Sequence, residues 1–518
     1  MNGAQALIRT LVDCGVDVCF TNPGTSEMHF VAALDSVPEM RGVLGLFEGV
    51  VTGAADGYGR MAERPAATLL HLGPGLGNGL ANLHNARRAR TPVVNIVGDH
   101  ATYHRRFDAP LASDIETVAR NVSTWVRSSS APGEVATDAV DAVTAAMGPP
   151  GQVATLVLPA DVSWLDGGAP AMPRPPASRP AVADDAVITA AKALRSGEPG
   201  VLLLGGVALR EAGLVAASRV ANATGAKLFG ETFPARLERG AGVPAIERLG
   251  YLAEFTMAQL AGARHLVLVD ARAPVSFFAY PNKPSDLVPD DCEVHVLAAD
   301  GADAVGALDH LADLVGAAAD SATRQTAHRP DRPTGPLTGE ALANAVGAFL
   351  PDGAIVSDEA NTAGLWASGA TAGAPRHDWL TLCGGAIGQG LPVATGAAVA
   401  CPDRKVVCLE ADGSAMYTLQ SLWTQVREGL DVTTVIFNNR SYAILNLELQ
   451  RVGAEPPGPR ALEMLDLSRP DLDFVSLARG MGVDAARATS ADEFTLQFER
   501  AMGAPGPHLI EAILPTRR

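Results

Sequence analysis

The sequence predicts an α/β protein of three open parallel sheets. Three observations carry this: short apolar runs alternate with helix-length segments, turn residues bound each run, and two Pro-rich stretches divide the chain. At 518 residues the chain is too long for a single ordinary core. Hydrophobic residues at 47% and charged residues at 19% describe a well-buried chain rather than a disordered one.

The Pro-rich stretches "GGAPAMPRPPASRPAVA" (167–183) and "TAHRPDRPTGPLTG" (326–339) have linker composition. They predict domains over 1–166, 184–325 and 337–518. In the first, "VDVCF", "VLGLF", "AATLLHL" and "PVVNIVG" read as buried parallel strands. In the second, "GVLLLGG" and "HLVLVD" do the same, and in the third "AIVSD", "KVVCLEAD" and "VTTVIFNN". The turn "LLLGGVALREAG" lacks G-x-G-x-x-G spacing and a matched acid, so no dinucleotide is expected in the central, Rossmann-like domain.

A formal net charge of −17 argues against nucleic acid or an anionic membrane as partner. No window of 18 apolar residues and no basic-then-apolar leader pattern stands out. Six cysteines without CxxC spacing suit a reduced, cytoplasmic protein.

"ADGSAMYTLQSLWTQVREGLDVTTVIFNN" (411–439) carries the chemistry. With "VVCLEAD" and "VTTVIFNN" on neighbouring strands and "YTLQSLWTQVRE" as the crossover helix, Asp412 and Asn439 fall on one sheet edge. Strands lie about 4.8 Å apart, so both side chains and the Ser441 carbonyl can reach a common hard cation. Gly413 permits close backbone approach, and Ser414 can present its hydroxyl and N–H to phosphate. Asp412 alone reads as a helix cap and Asn438–Asn439 alone as a turn; their combination favours an ion site.

The stretch resembles the diphosphate-and-metal motif of thiamine diphosphate (ThDP) enzymes, with Ala411 replacing the usual first glycine. The resemblance implies Mg²⁺ on Asp412, Asn439 and the Ser441 carbonyl, and the diphosphate beside Gly413, Ser414 and Tyr442. "FEGVVTGAADGYGR" resembles the activating-glutamate segment of the acetolactate synthase/benzoylformate decarboxylase/pyruvate oxidase group, which makes Glu48 the activating carboxylate. "SDEANTAG" and "LCGGAIGQGLPVATGAA" resemble further cofactor segments. They imply diphosphate contacts from Asn361 and Thr362, a Gly385 carbonyl on the aminopyrimidine, and Ile387 wedged between the rings. "TNPGTSEMHF" and "LHLGPGLGNGLANLHNA" are similar to the family's N-P-G turn and glycine-rich helix start. Such enzymes share the site between subunits, so a homodimer or homotetramer with ThDP at the interface is implied. The chain is shorter than FAD-binding members, and FAD is not expected.

The same resemblance divides over the reaction. His71 aligns with an active-site histidine of benzoylformate-decarboxylase-like enzymes and Thr25 with their substrate-binding hydroxyl, though a histidine ending a buried strand also serves as plain core. Their second histidine falls at Ala279. The Phe-Gln pair of acetolactate synthases falls at Ala112 and Ser113, and their arginine near Ser276, with Arg272 the nearest guanidinium. Phe277, Phe278 and Ile444 are candidate pocket walls; His100 and His104, with Arg105 and Arg106, suit a subunit interface. The resemblance of the whole chain implies decarboxylation of a 2-oxo acid with carboligation to a second 2-oxo acid or aldehyde. A decarboxylase releasing aldehyde and a catalytically silent ThDP-binding protein are the alternatives.

Overall fold

A computed structural model describes residues 1–454 and 457–515. The first sheet contains β1 (Val18–Asn22), β2 (Arg41–Leu44), β3 (Ala66–Leu70), β4 (Val93–Asp99), β5 (Trp125–Ser128) and β6 (Val153–Pro159). These run in the order β2-β1-β3-β4-β6-β5, with every pairing parallel. β3, β4 and β6 are buried along their whole length, which is why they read as continuous apolar runs.

The middle of the chain supplies β7 (Gly200–Leu204), β8 (Lys227–Gly230), β9 (Leu237–Arg239), β10 (Glu247–Arg248), β11 (His265–Val269) and β12 (Glu293–Ala298). The last part supplies β13 (Ala354–Glu359), β14 (His377–Thr381), β15 (Val406–Ala411), β16 (Val432–Asn438), β17 (Asp484–Ala488) and β18 (His508–Ile513). The second sheet is ordered β10-β8-β7-β11-β12 and the third β17-β18-β16-β15-β13-β14-β9. β9 thus leaves the middle segment and pairs antiparallel with β14 at the edge of the third sheet. Its seat is fixed nearby by Arg236 on Asp378 (2.5 Å) and by the Thr381 hydroxyl donating to the Pro234 carbonyl (2.8 Å).

Two of the main apolar cores are shared between segments. One joins the middle and last sheets through residues such as Leu204, Val267, Val356 and Phe437. The other joins the first and last through helices Glu48–Ala62 and Gly390–Ala400. These two helices meet backbone to backbone. A Cβ at Gly57 would lie 2.1 Å from the Val393 carbonyl oxygen, and one at Gly396 only 1.8 Å from that of Ala54. The glycines of "VTGAADGYGR" and "PVATGAA" therefore set the separation of the first and third sheets.

The crossover expected as one helix is two, Asp412–Thr418 and Ser421–Glu428. It breaks where Thr418 donates its hydroxyl to the Gly388 carbonyl (3.0 Å). Tyr417 also crowds Gly388, whose added Cβ would lie 2.5 Å from the Tyr417 Cβ. The helix opens at Asp412, so Ser414 sits within its first turn. Residues 167–183 form no regular structure and are mostly exposed, as their proline content predicts.

Candidate active site

In parallel strands β15 and β16, Ala411 pairs with Phe437, so the residues that follow each emerge side by side. Asp412 is 2% exposed. One of its carboxylate oxygens accepts the Gly413 N–H (2.8 Å) and the other that of Arg440 (2.6 Å). The Asn439 side-chain oxygen accepts from the Ser441 N–H (2.9 Å). Asn438 turns inward, donating to Glu511 (2.7 Å), so the two asparagines divide between anchoring and presenting. Burial pushes the Asp412 carboxyl up to about 6, against the pull of neighbouring amides. A divalent cation would reverse that shift, and carboxylate, amide oxygen and backbone carbonyl are the donors a hard cation takes. The residues fit Mg²⁺.

Next to this group, the Asn361 amide donates to the Ser414 hydroxyl (3.2 Å), bringing together two of the expected diphosphate contacts. Asn361 holds φ +51°, a left-handed conformation that asparagine tolerates better than most residues. Thr362 follows in the same short turn, half-buried. The Tyr442 ring covers Gly413: a Cβ there would lie 2.4 Å from its Cε1. Only glycine fits.

Gly385, at φ +75°, faces the Phe277 ring, whose Cζ would stand 2.9 Å from an added Cβ. Ile387 is half-buried. Just beyond, the N–H groups of Gly388, Gln389 and Gly390 all donate to the buried Glu359 carboxylate (2.8, 2.7 and 2.5 Å), pinning the turn from beneath. Phe277 belongs to an aromatic cluster with Phe233, Tyr251 and Phe278, at ring separations of 5.8, 5.2 and 5.1 Å.

On the first sheet, Glu48 opens its helix and is 7% exposed. Asn78 donates to one of its oxygens (3.0 Å). A Cβ at Gly75 would touch both the other Glu48 oxygen (3.2 Å) and the His71 Cβ (3.5 Å), so Glu48 and His71 share one corner. His71 follows directly on β3 and precedes Leu72, which is buried at φ +51°. That strained strand-to-helix turn fixes where the imidazole stands.

His71 Nδ1 lies 2.7 Å from Glu27 Oε2, and the same oxygen accepts the Gly24 N–H (2.8 Å). Glu27 is 1% exposed; burial raises its carboxyl and the His71 charge opposes that rise. Reading "TNPGTSEMHF" missed this residue. Its visible signal, a glutamate three residues past Gly24, reads as an ordinary helix start. Thr25 lies beside the pair but exposed.

Asn82 links the two halves within one chain, donating to the carbonyls of Gly49 (2.8 Å) and Gly388 (3.2 Å). Asn85 adds a bond to the Ala386 carbonyl (2.8 Å). Among the described residues no hydrogen bond joins Glu48 to Asp412, Asn439 or Ser441.

The remaining candidates divide. Ser113 packs against the start of the helix that follows His71: a Cβ at Gly73 would lie 2.1 Å from its hydroxyl. Ser276 donates to the Phe278 carbonyl (2.7 Å), and Arg272 is occupied by Asp300 (3.0 Å). Ile444 is half-buried at the start of helix Ala443–Arg451. The rings of His100 and His104 lie 5.3 Å apart at a tilt of 59°, with Arg105 on Asp99 (2.7 Å) and the Arg106 guanidinium over the Phe107 ring.

Comparison with known proteins gives one consistent answer. Residues 1–119 match the family described as "Thiamine pyrophosphate enzyme, N-terminal TPP binding domain", and residues 362–512 its "C-terminal TPP binding domain". The chain is 62% identical over 519 residues to a Mycobacterium tuberculosis protein named "Putative acetolactate synthase large subunit IlvX", covering 100% of this chain and 99% of that one. It is 29% identical over 542 residues to the benzoylformate decarboxylase of Pseudomonas aeruginosa, covering 97% and 96%. The solved structure of a thiamine diphosphate-dependent 4-hydroxybenzoylformate decarboxylase from Rhodococcus jostii superposes with a TM-score of 0.85 at 24% identity, over 100% of both chains.

Proposed function

The chain belongs to the thiamine pyrophosphate enzyme family, and from that premise we propose that it decarboxylates a 2-oxo acid with ThDP and Mg²⁺ bound. Bound ThDP supplies a carbon nucleophile and an electron sink for the pair left behind by CO₂. Glu48, held by Asn78, orients and activates the aminopyrimidine. Asp412, Asn439 and the Ser441 carbonyl hold Mg²⁺, while Asn361, Thr362, Gly413, Ser414 and Tyr442 line the diphosphate. Gly385 and Ile387 would hold the ThDP rings, and Phe277 and Ile444 would wall the substrate.

The observation that carries the outcome is the His71–Glu27 contact. With Glu27 accepting from Nδ1–H, Nε2 is the nitrogen that takes up a proton from solvent and passes it on as the imidazolium. That proton replaces CO₂ on the substrate's carbonyl carbon, and an aldehyde leaves. Thr25, exposed in the same turn as Glu27, would bond the substrate. Arg272, the nearest guanidinium, is largely exposed and makes one surface contact to Asp300 (3.0 Å), not a buried fork aimed at a second carboxylate.

Carboligation, in which the same carbon attacks a second 2-oxo acid or aldehyde, is the second reading. The name of the relative at 62% identity favours it.

The active assembly is a homodimer or homotetramer that brings Glu48 of one subunit to the metal group of another. Exposed Leu365, Trp366, Met416 and Tyr417 beside the cofactor groups support this reading. The three proposed domains are those expected from the linkers, 1–166, 184–325 and 337–518. A reduced, cytoplasmic setting accords with six unpaired cysteines; no helix among the described residues is long and apolar enough to cross a membrane.

The test is incubation with ThDP, Mg²⁺ and a panel of 2-oxo acids, read by NMR. Aldehyde without hydroxyketone supports the first reading, and acetolactate from pyruvate the second. No consumption of any 2-oxo acid by cofactor-loaded protein overturns both.

A further inference from the structure

The second sheet carries a group of side chains unconnected with the site above. His265 begins β11 and pairs in register with Glu293, which begins β12; His295 lies two residues further along β12. Residues i and i+2 of a strand project to one face. His265, Glu293 and His295 therefore converge at the amino edge of this sheet, whereas the residues proposed for catalysis follow the carboxyl ends of their strands.

His265 Nδ1 lies 3.1 Å from His295 Nε2, and Glu293 Oε2 lies 3.8 and 3.7 Å from those same nitrogens. A single point about 2.1 Å from all three atoms satisfies these separations, which is the length of a zinc–imidazole or zinc–carboxylate bond. The two imidazoles are largely buried, with side chains 11% and 9% exposed, while the Glu293 side chain is 70% exposed and free to adjust.

The other ring nitrogen of His265 is buried without a hydrogen bond of good geometry, yet stands 3.2 Å from Glu198 Oε2. A carboxylate behind the far nitrogen of a liganding histidine fixes its tautomer and strengthens it as a donor. Arg264 and Asp291 complete the charged surroundings.

We propose that His265, Glu293 and His295 bind a divalent transition metal of the zinc class, with Glu198 as the carboxylate behind His265. Two imidazoles select such a metal over Mg²⁺, and three protein ligands leave a position for water. The ion would clip the starts of β11 and β12 to the segment before β7.

The experiment uses the full chain saturated with ThDP and Mg²⁺, titrated with ZnCl₂ against a chromophoric chelator of micromolar affinity, with no turnover required. One zinc per chain is expected. His295→Gln should abolish retention, and Glu293→Gln, at an exposed position that leaves folding intact, should weaken it at least 10-fold. Glu198→Gln should weaken it by about 10–100-fold. Asp412→Ala should leave zinc binding unchanged. A plain His–His hydrogen bond, shown by no uptake against the chelator, overturns the proposal. Uptake insensitive to both Glu293→Gln and His295→Gln, or lost in Asp412→Ala, overturns it equally.

Discussion

The His71 imidazole meets the Glu27 carboxylate at 2.7 Å, packed so closely that glycine is required on two sides. A Cβ at Gly24 would lie 2.2 Å from His71 Nδ1, and one at Gly98 would lie 1.6 Å from the free Glu27 oxygen. The pair is enclosed by backbone on its inner side and faces the Glu48 corner on the other.

If this pair delivers the proton, His71→Ala lowers aldehyde release by about 10²–10⁴-fold. Glu27→Gln, which keeps the shape but not the charge, lowers kcat by less and shifts the pH–rate profile. Steady-state assays with the best 2-oxo acid check both. Undiminished aldehyde release by His71→Ala would remove the residue from the mechanism.

Glu48→Gln retains the contact with Asn78 in size and position but loses the carboxylate. The variant should bind ThDP with near-normal affinity by calorimetry and lose most of its turnover. Near-normal kcat in this variant would strip Glu48 of the activating role.

Asp412→Ala removes the one carboxylate among the proposed Mg²⁺ ligands. Mg²⁺-dependent retention of ThDP should weaken by at least the roughly 10–100-fold typical of a lost outer-shell partner. Equilibrium dialysis with and without Mg²⁺ decides it, and identical retention of ThDP by variant and parent counts against the assignment.

The glycine contacts between helices Glu48–Ala62 and Gly390–Ala400 predict a stability cost. Gly57→Ala and Gly396→Ala place a methyl on a carbonyl oxygen of the opposing helix and should cost about 1–3 kcal/mol or more. Gly503→Ala, with nothing within 4 Å of the new carbon, should stay within about 0.5 kcal/mol. Thermal unfolding that ranks the three alike would contradict the packing.

Glu359 and Glu410 predict a pH dependence. Burial lifts the Glu359 carboxyl to about 7 despite three backbone amides; burial, then the charges of Glu359 and Asp358, lift Glu410 well above its ordinary value. Folded-state values above the unfolded ones mean stability is fully present below about 4.5 and is lost as pH rises through about 7 and beyond. Glu410→Gln cannot ionise, so its Tm should exceed that of the parent by a few degrees at alkaline pH and converge with it as pH falls. A constant difference across pH would dismiss the idea.

Much of the site was legible in the residues because its logic is local. A parallel strand ends where its apolar run ends, so Asp412, Asn439, Glu48 and His71 could each be placed at a carboxyl edge before any coordinates. Glycine between an acid and a serine at 412–414 reads as room for an approaching anion; what the structure shows against Gly413 is the Tyr442 ring, which the residues around it did not announce.

The crossover break at Leu419 was not legible, because a carbonyl from a distant loop, Gly388, competes for Thr418. The transfer of β9 to the third sheet was equally hidden: a three-residue strand carries too little pattern to name its partner.

By itself the sequence determined the succession of strands and helices and the residue types that end them, since periodicity and turn chemistry act over a few residues. Only the tertiary structure decided which ends meet: Glu27 with His71, Asn361 with Ser414, His265 with His295. Those meetings depend on strand order and on packing between residues dozens of positions apart, for which no local pattern exists.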